Sequence, residues 1–312
     1  MKKIPVFFIN GMLDSGKTTF IIDTLKNDIK ERKAKTLLLV CEEGEVEYEE
    51  ELLTRTNTYK HVFESQEEWD YKLVEKLIKQ EKPDRVVIEM NGMWDLKMLQ
   101  FPRIIEIVQL ITFIDGSTFS VYFNNMRQKF NDMIKQSHVV CFTKVDGPEV
   151  LAPYQTALKL INNNCEYMIM DEDMRAQDAF EEPLPYDIEQ DVIKIEERDY
   201  GTFYIDTFDH KERYDGKTVE YDIMVVLSEK LPPNSFIAGR FIMNCCADDI
   251  QLFGFLADDT LGLKLKDRQW IHLKANISYE WSEEYNEEEL VLKPISIDLI
   301  EGPKDKVLDL TK

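Results

Sequence analysis

Eight consecutive residues carry the most chemistry in this chain. Gly11-Met12-Leu13-Asp14-Ser15-Gly16-Lys17-Thr18 has the spacing Gly-x-x-x-x-Gly-Lys-Thr. Gly11 and Gly16 permit backbone angles closed to other residues, so successive N–H groups can curl around phosphate oxygens. Lys17 reaches the β- and γ-phosphates of a nucleoside triphosphate, and the Thr18 hydroxyl ligates Mg²⁺. A helix starting near Lys17 turns its positive end toward the same phosphates. Asp14, Ser15 and Thr19 complete the nucleotide-binding set expected around this loop.

Three further groups lie downstream of the loop. Thr143-Lys144-Val145-Asp146 ends an apolar run. A carboxylate at Asp146 can accept from guanine N1 and N2, a donor pair adenine lacks, while the Lys144 stem packs along the base; this predicts GTP as the ligand. Val86-Val87-Ile88-Glu89 leads into Met90-Asn91-Gly92, placing Glu89 near Mg²⁺ and the γ-phosphate and letting the Gly92 N–H approach the phosphate. The acidic segment Cys41-Glu42-Glu43-Gly44-Glu45-Val46 offers Glu42, and behind it Glu45, to orient metal-bound or attacking water. Each has a plainer alternative: a common Lys-x-Asp turn, a strand-end carboxylate before a turn glycine, and a solvated acidic loop. Lys17, Glu42 and Glu89 are the expected catalytic residues, and Thr18, Glu42 and Glu89 the expected Mg²⁺ holders.

These groups need a rigid frame. Apolar runs without polar alternation occur at Ile4–Ile9, Thr36–Cys41, Arg85–Glu89, Val108–Ile114, Val139–Thr143 and Glu166–Met170. Helical patterns separate them at Lys17–Arg32, Glu67–Gln80, Thr118–Asn124, Gln128–Ser137 and Leu151–Asn162. This alternation predicts an α/β P-loop fold with a mostly parallel sheet covered by helices. Residues 42–51 are expected to form a loop. Glu181-Glu182-Pro183-Leu184-Pro185 reads as a linker, dividing the chain into domains 1–182 and 183–312. Beyond it, strand patterns at Thr218–Leu227, Phe236–Cys245, Ile250–Ala257, Trp270–Tyr279 and Leu290–Ile300, with turns between them, predict a small all-β barrel of OB-like type.

Together, Gly11–Thr18, Cys41–Val46, Glu89–Gly92 and Thr143–Asp146 resemble, in order and spacing, the CobW/HypB/UreG-type GTPases, with the CobW-like branch nearest. The resemblance implies a slow GTP hydrolase coupled to delivery of a metal such as zinc, cobalt or nickel. It carries Glu42 and Glu89 over as carboxylates near Mg²⁺ and Asp146 as the guanine reader. The branch's Asn is Cys41 here and its Phe is Glu43. The Cys-x-Cys-Cys motif usual in that branch is missing, because residues 47–84 contain no cysteine. The second half, around Gly239–Asp249 and Tyr214–Lys217, resembles the soluble C-terminal domain of YcgQ-type proteins, which are encoded beside a permease-like membrane partner.

Cys245 and Cys246, followed by Asp248 and Asp249, are the remaining zinc candidates, with His272 as a further ligand. Adjacent residues of a regular strand face opposite ways, so the pair can share one ion only at a strand end or bulge. The alternative is one buried and one partly exposed thiol. Cys141, His61, His138 and His210 read as structural. An odd count of five cysteines argues against a disulfide framework and for a reducing cytoplasm. A net charge of −22 disfavours nucleic acid and anionic membranes as partners, and no apolar run is long enough to span a bilayer. The expected ligands are GTP or GDP, Mg²⁺ and Zn²⁺; the expected partners are a metal client or permease, or a second copy. A contrasting class is a nucleotide-switched adaptor with little hydrolysis, and a third is an ATP-dependent kinase on the same loop.

Overall fold

A computed structural model describes residues 3–31, 34–180, 184–243, 250–259, 261–283 and 286–309. The chain divides into two compact units, Met1–Glu181 and Glu182–Lys312. No helix among the described residues is long and apolar enough to cross a membrane.

The first unit is built on eight strands: β1 (Ile4–Gly11), β2 (Thr36–Val40), β3 (Thr58–Val62), β4 (Arg85–Glu89), β5 (Ile105–Asp115), β6 (Val139–Thr143), β7 (Glu166–Met170) and β8 (Ala176–Asp178). They lie in the order β3-β2-β4-β1-β5-β6-β7-β8. All neighbours are parallel except β7 and β8. The helices are α1 (Lys17–Glu31), α2 (Glu50–Arg55), α3 (Tyr71–Glu81), α4 (Gly116–Asn125), α5 (Arg127–Ile134) and α6 (Gln155–Ile161). Parallel strands need crossovers, and helices covering both faces explain the unbroken apolar runs: β2 is buried at all five positions. One core packs Val6, Phe8, Leu37, Leu39, Val86 and Ile88 against α3 residues. Ile9, Leu38, Val40 and Ile111 face the opposite way, onto Ile21 and Leu25 of α1.

Strand order reverses at β1. After β1 the chain builds outward through β2 and β3, returns to insert β4 beside β1, then builds the other way from β5. Such a switch opens a crevice at the carboxyl ends of the strands. The loop Gly11–Thr18 therefore lies at its centre. The expected strands are present, and their ends shift by a few residues at most. The expected loop at 42–51 gives way at Glu50, where α2 begins.

The second unit contains β9 (Val192–Lys194), α7 (Tyr200–Asp209), α8 (Lys211–Tyr214), β10 (Thr218–Val226), β11 (Ser235–Met243), β12 (Ile250–Asp258), β13 (Trp270–Ser282), β14 (Glu287–Leu299) and β15 (Val307–Asp309). Pairing runs β10-β11-β12-β14-β13 and back to β10, which closes a five-stranded ring. The β12–β14 pair is parallel and the other ring pairs are antiparallel. This is the OB-like barrel expected from the strand and turn spacing. Inward positions alternate along β10, with Val219, Tyr221, Ile223 and Val225 all buried. Phe203 of α7 is fully buried, with ring centroids 5.8 Å from Tyr221 and 5.7 Å from Phe255.

Phe203→Ala removes the side chain that α7 contributes to this core. Such truncations cost about 3–5 kcal/mol. Urea denaturation of the full chain, followed by far-UV circular dichroism, is expected to show the barrel transition at lower denaturant; an unmoved transition contradicts this packing.

Candidate functional site

The turn after β1 is tight for a steric reason. Gly11 has φ +142°, and a Cβ there would lie 2.3 Å from the Phe113 carbonyl oxygen of β5. Gly92 approaches from the other side. A Cβ on it would lie 2.5 Å from the Gly11 carbonyl oxygen, and its own N–H donates to that oxygen at 3.0 Å. The Gly92 N–H expected at the phosphate is therefore engaged with the loop backbone. Asp14 and Gly16 also take positive φ, 58° and 98°, completing a curl of backbone ahead of α1. No acidic residue sits in the first turn of α1, so its positive end faces the loop without an internal counter-charge.

Lys17 is 4% exposed. Its Nζ donates to the Gly11 and Met12 carbonyl oxygens at 3.0 and 2.7 Å, and to Glu42 Oε2 at 2.6 Å. The next residue makes a second contact of the same kind: Thr18 Oγ1 donates to Glu89 Oε1 at 2.5 Å. The other Glu89 oxygen, Oε2, accepts from the Tyr48 hydroxyl at 2.6 Å. Glu89 is 1% exposed. Burial raises its carboxyl above the usual carboxylate range, against the opposing pull of the Thr18 and Tyr48 hydrogen bonds and the Lys17 charge. Burial, reinforced by Glu89 and Glu42, also pushes the Cys41 thiol up, which keeps it protonated and unreactive.

The far wall comes from β6 and the turn behind it. Thr143 Oγ1 donates to the Ser15 carbonyl oxygen at 3.0 Å. Lys144, at φ +53°, donates through Nζ to the Asp14 carbonyl oxygen at 2.8 Å and to Asp115 Oδ2 at 2.7 Å. Burial alone would raise the Asp115 carboxyl; hydrogen bonds from Lys144 and Ser117 outweigh it and hold it below the usual range.

Together these groups enclose a cavity of about 280 Å³ whose lining includes Asp14, Lys17, Thr18, Glu42, Glu89 and Lys144. Gly16, Thr19 and Glu45 also line it, whereas Asp146 is exposed and lies outside the lining. The residues fit a polyphosphate with its cation. Ser15 Oγ is buried with no hydrogen-bond partner among the described residues, the backbone is curled by three positive-φ residues, and a buried ammonium, a hydroxyl and four carboxylates share one cavity. Among the described residues, no group of three or more His, Cys, Asp or Glu side chains is arranged to hold a metal ion. Cys245 and Cys246 lie outside the described residues. His272, the further zinc candidate, instead has Nδ1 2.6 Å from Asp222 Oδ1.

Residues 5–169 match the CobW/HypB/UreG nucleotide-binding domain. The chain belongs to this family. Residues 170–307 match the DUF1980 C-terminal domain, so a CobW-type P-loop domain precedes a second, β-rich one. The fold is similar to that of the hydrogenase maturation factor HypB from Archaeoglobus fulgidus (14% identity, 54% of this chain and 81% of that one, TM-score 0.37). It is also similar to the Zn(II)-bound YjiA GTPase from E. coli (14% identity, 96% and 95%, TM-score 0.40). The signal recognition particle receptor FtsY from Elizabethkingia anophelis gives 15% identity, 57% and 64%, and a TM-score of 0.38. At these scores the likenesses add nothing to the family match. No curated protein matches the chain.

Three residues at or next to this CobW-type site had no role in the sequence reading, although the Ile114-Asp115 strand end also resembles the family. Tyr48 is a single tyrosine in an acidic stretch, and nothing in its spacing marks it. Asp115 ends β5 and caps α4 by accepting from the Ser117 N–H at 2.9 Å, a signal present in the Asp-Gly-Ser order. Asn10 is fully buried, and both its side-chain polar atoms lack hydrogen-bond partners among the described residues; only its position before Gly11 hints at the site.

Tyr48→Phe leaves Glu89 Oε2 without its donor. Hydrogen bonds to charged groups are worth about 1.5–3 kcal/mol, so urea denaturation of the nucleotide-free chain is expected to show a loss of that size in the first unit. Unchanged stability would remove Tyr48 as a support of Glu89.

Proposed function

We propose that the chain is a Mg²⁺-dependent GTPase of CobW-like type that serves metal delivery or homeostasis. Residues 1–182 carry the nucleotide chemistry and residues 183–312 act on the metal or its client. The observation that carries the reading is the convergence of Lys17, Thr18, Glu89 and Lys144 on one cavity behind the Gly11–Thr18 curl. Family membership supports the guanine nucleotide.

In this reading Lys17 turns from Glu42 to β- and γ-phosphate oxygens. The loop N–H groups and the α1 terminus stabilise charge that builds on those oxygens during attack by water. Thr18, Glu89 and Glu42 would hold Mg²⁺, which supplies charge neutralisation when bound. Tyr48 fixes which Glu89 oxygen faces Thr18. Glu42, released by Lys17, would orient water. Lys144 braces the loop and packs along the base, and Asp146 accepts from guanine. Gly92, held on the Gly11 carbonyl, would free its N–H for the γ-phosphate if the loop backbone shifts.

In this reading zinc or cobalt is the cargo, with Cys245 and Cys246 as ligands in this chain. The absence of cysteine from residues 47–84 favours a second reading, an adaptor whose nucleotide sets its affinity for a permease-like partner while hydrolysis stays negligible. Steady-state phosphate release separates the two. The GTPase reading expects turnover with GTP and Mg²⁺ that falls on the order of a hundredfold or more in Lys17→Ala, the cost of removing one preorganised charge-stabilising donor. Asp146→Ala is expected to weaken GTP binding by about 10- to 100-fold and leave ATP unaffected. Equal affinity of the unmodified chain for ATP and GTP would overturn the guanine assignment. GTP binding with no phosphate release would favour the adaptor.

A further inference from the structure

The barrel unit holds a second cavity, of about 410 Å³, that the nucleotide reading does not use. It has a topological origin. On one edge β10 pairs with β9 over Thr218–Glu220 and with β11 over Met224–Val226. The intervening residues 221–223 have no strand partner on that edge among the described residues. Tyr221 and Asp222 from this gap line the cavity together with Glu220 at its edge and Arg240, Trp270 and His272.

Arg240 is the unusual group. It is 1% exposed, yet it lies in a β-strand of a barrel core. Its guanidinium stacks on Trp270, 4.7 Å from the ring centroid, and Nη2 donates to Glu197 Oε1 at 2.7 Å. That is its only hydrogen bond among the described residues. The Arg240 Nε–H and the Tyr221 hydroxyl are both buried with no hydrogen-bond partner among the described residues. Orphaned buried donors are rare, and two beside one cavity mark hydrogen-bonding capacity left for a ligand. A guanidinium fork matches both oxygens of a carboxylate, and Glu197 supplies one of them from a side chain 48% exposed. The cavity thus already holds a carboxylate, supplied from its own rim.

The rest of the lining is acidic on balance. Asp222 and Glu220 flank His272, whose Nδ1 and Nε2 lie 2.6 and 3.5 Å from their oxygens, and the exposed Lys194 lies 3.7 Å from Glu220. Glu301, also at the cavity, has no ion-pair partner among the described residues. On a chain of net charge −22 this lining repels a simple anion.

We propose that this cavity binds a small zwitterion of amino-acid type. Its carboxylate takes the Arg240 fork in place of Glu197, and its ammonium faces Glu301 and Asp222. Isothermal titration of the full chain with L-lysine, acetate and putrescine tests this. L-lysine is expected to bind one-to-one, while acetate and putrescine, each carrying half the recognised chemistry, do not bind at the same concentrations. Arg240→Gln should abolish binding. Because Arg240 is buried and its replacement can unfold the barrel, Glu197→Gln is the decisive variant: losing the internal competitor should tighten L-lysine binding roughly fivefold, the scale of a part-exposed ion pair. No binding of L-lysine, acetate or putrescine as tight as L-lysine, or weaker binding in Glu197→Gln would each overturn the proposal.

Discussion

Lys17 carries a charge into a place where only 4% of its surface meets solvent. A buried ammonium is tolerated only with an anion and acceptors close by, and here two loop carbonyls and the Glu42 carboxylate supply them. The surrounding architecture serves that arrangement. The order reversal at β1 opens the crevice, Gly11 and Gly92 let backbones approach where any Cβ would collide, and β2 delivers Glu42 from the adjoining carboxyl end. A phosphate oxygen in the seat of the Glu42 oxygen would keep the ammonium paired. The neighbouring Thr18–Glu89–Tyr48 chain keeps a second buried carboxylate oriented beside it.

The barrel unit repeats this logic with different parts. Arg240 is buried as deeply as Lys17, and again a glutamate from the cavity's own rim satisfies part of its bonding. In both cavities a cation is kept in place by an internal carboxylate that a ligand with better geometry can displace. The two differ in what remains unsatisfied. Among the described residues, the Ser15 hydroxyl of the loop and the Asn10 amide at the end of β1 lack hydrogen-bond partners, as do the Arg240 Nε–H and the Tyr221 hydroxyl in the barrel.

Much of this was legible in the sequence because it depends on local rules. Lys17, Thr18, Glu89 and Lys144 announce themselves by spacing, and unbroken apolar runs such as Leu37–Val40 specify buried parallel strands. The five barrel strands follow from alternation and turn residues. What stayed hidden depends on tertiary placement. The strand Thr58–Val62 contains Lys60 and His61 and has no buried position, so its pattern does not read as a sheet member. Helix Tyr200–Asp209 is aromatic enough to pass for strand, and only its docking on Tyr221 and Phe255 decides it. Tyr48 and Arg240 belong to the same class: their roles arise from contacts across 41 and 43 residues of sequence, to Glu89 and Glu197.

The exchange of Glu42 for phosphate on Lys17 is the step on which the account stands, and GDP affinity without Mg²⁺ reads it directly. Glu42→Gln leaves the Lys17 ammonium buried and uncompensated until an anion arrives, so the free energy of binding should grow. Isothermal titration in EDTA is expected to show GDP binding tighter by roughly tenfold in Glu42→Gln than in the unmodified chain. Equal or weaker GDP binding in that variant would contradict the claim that the Glu42 carboxylate occupies the phosphate's seat.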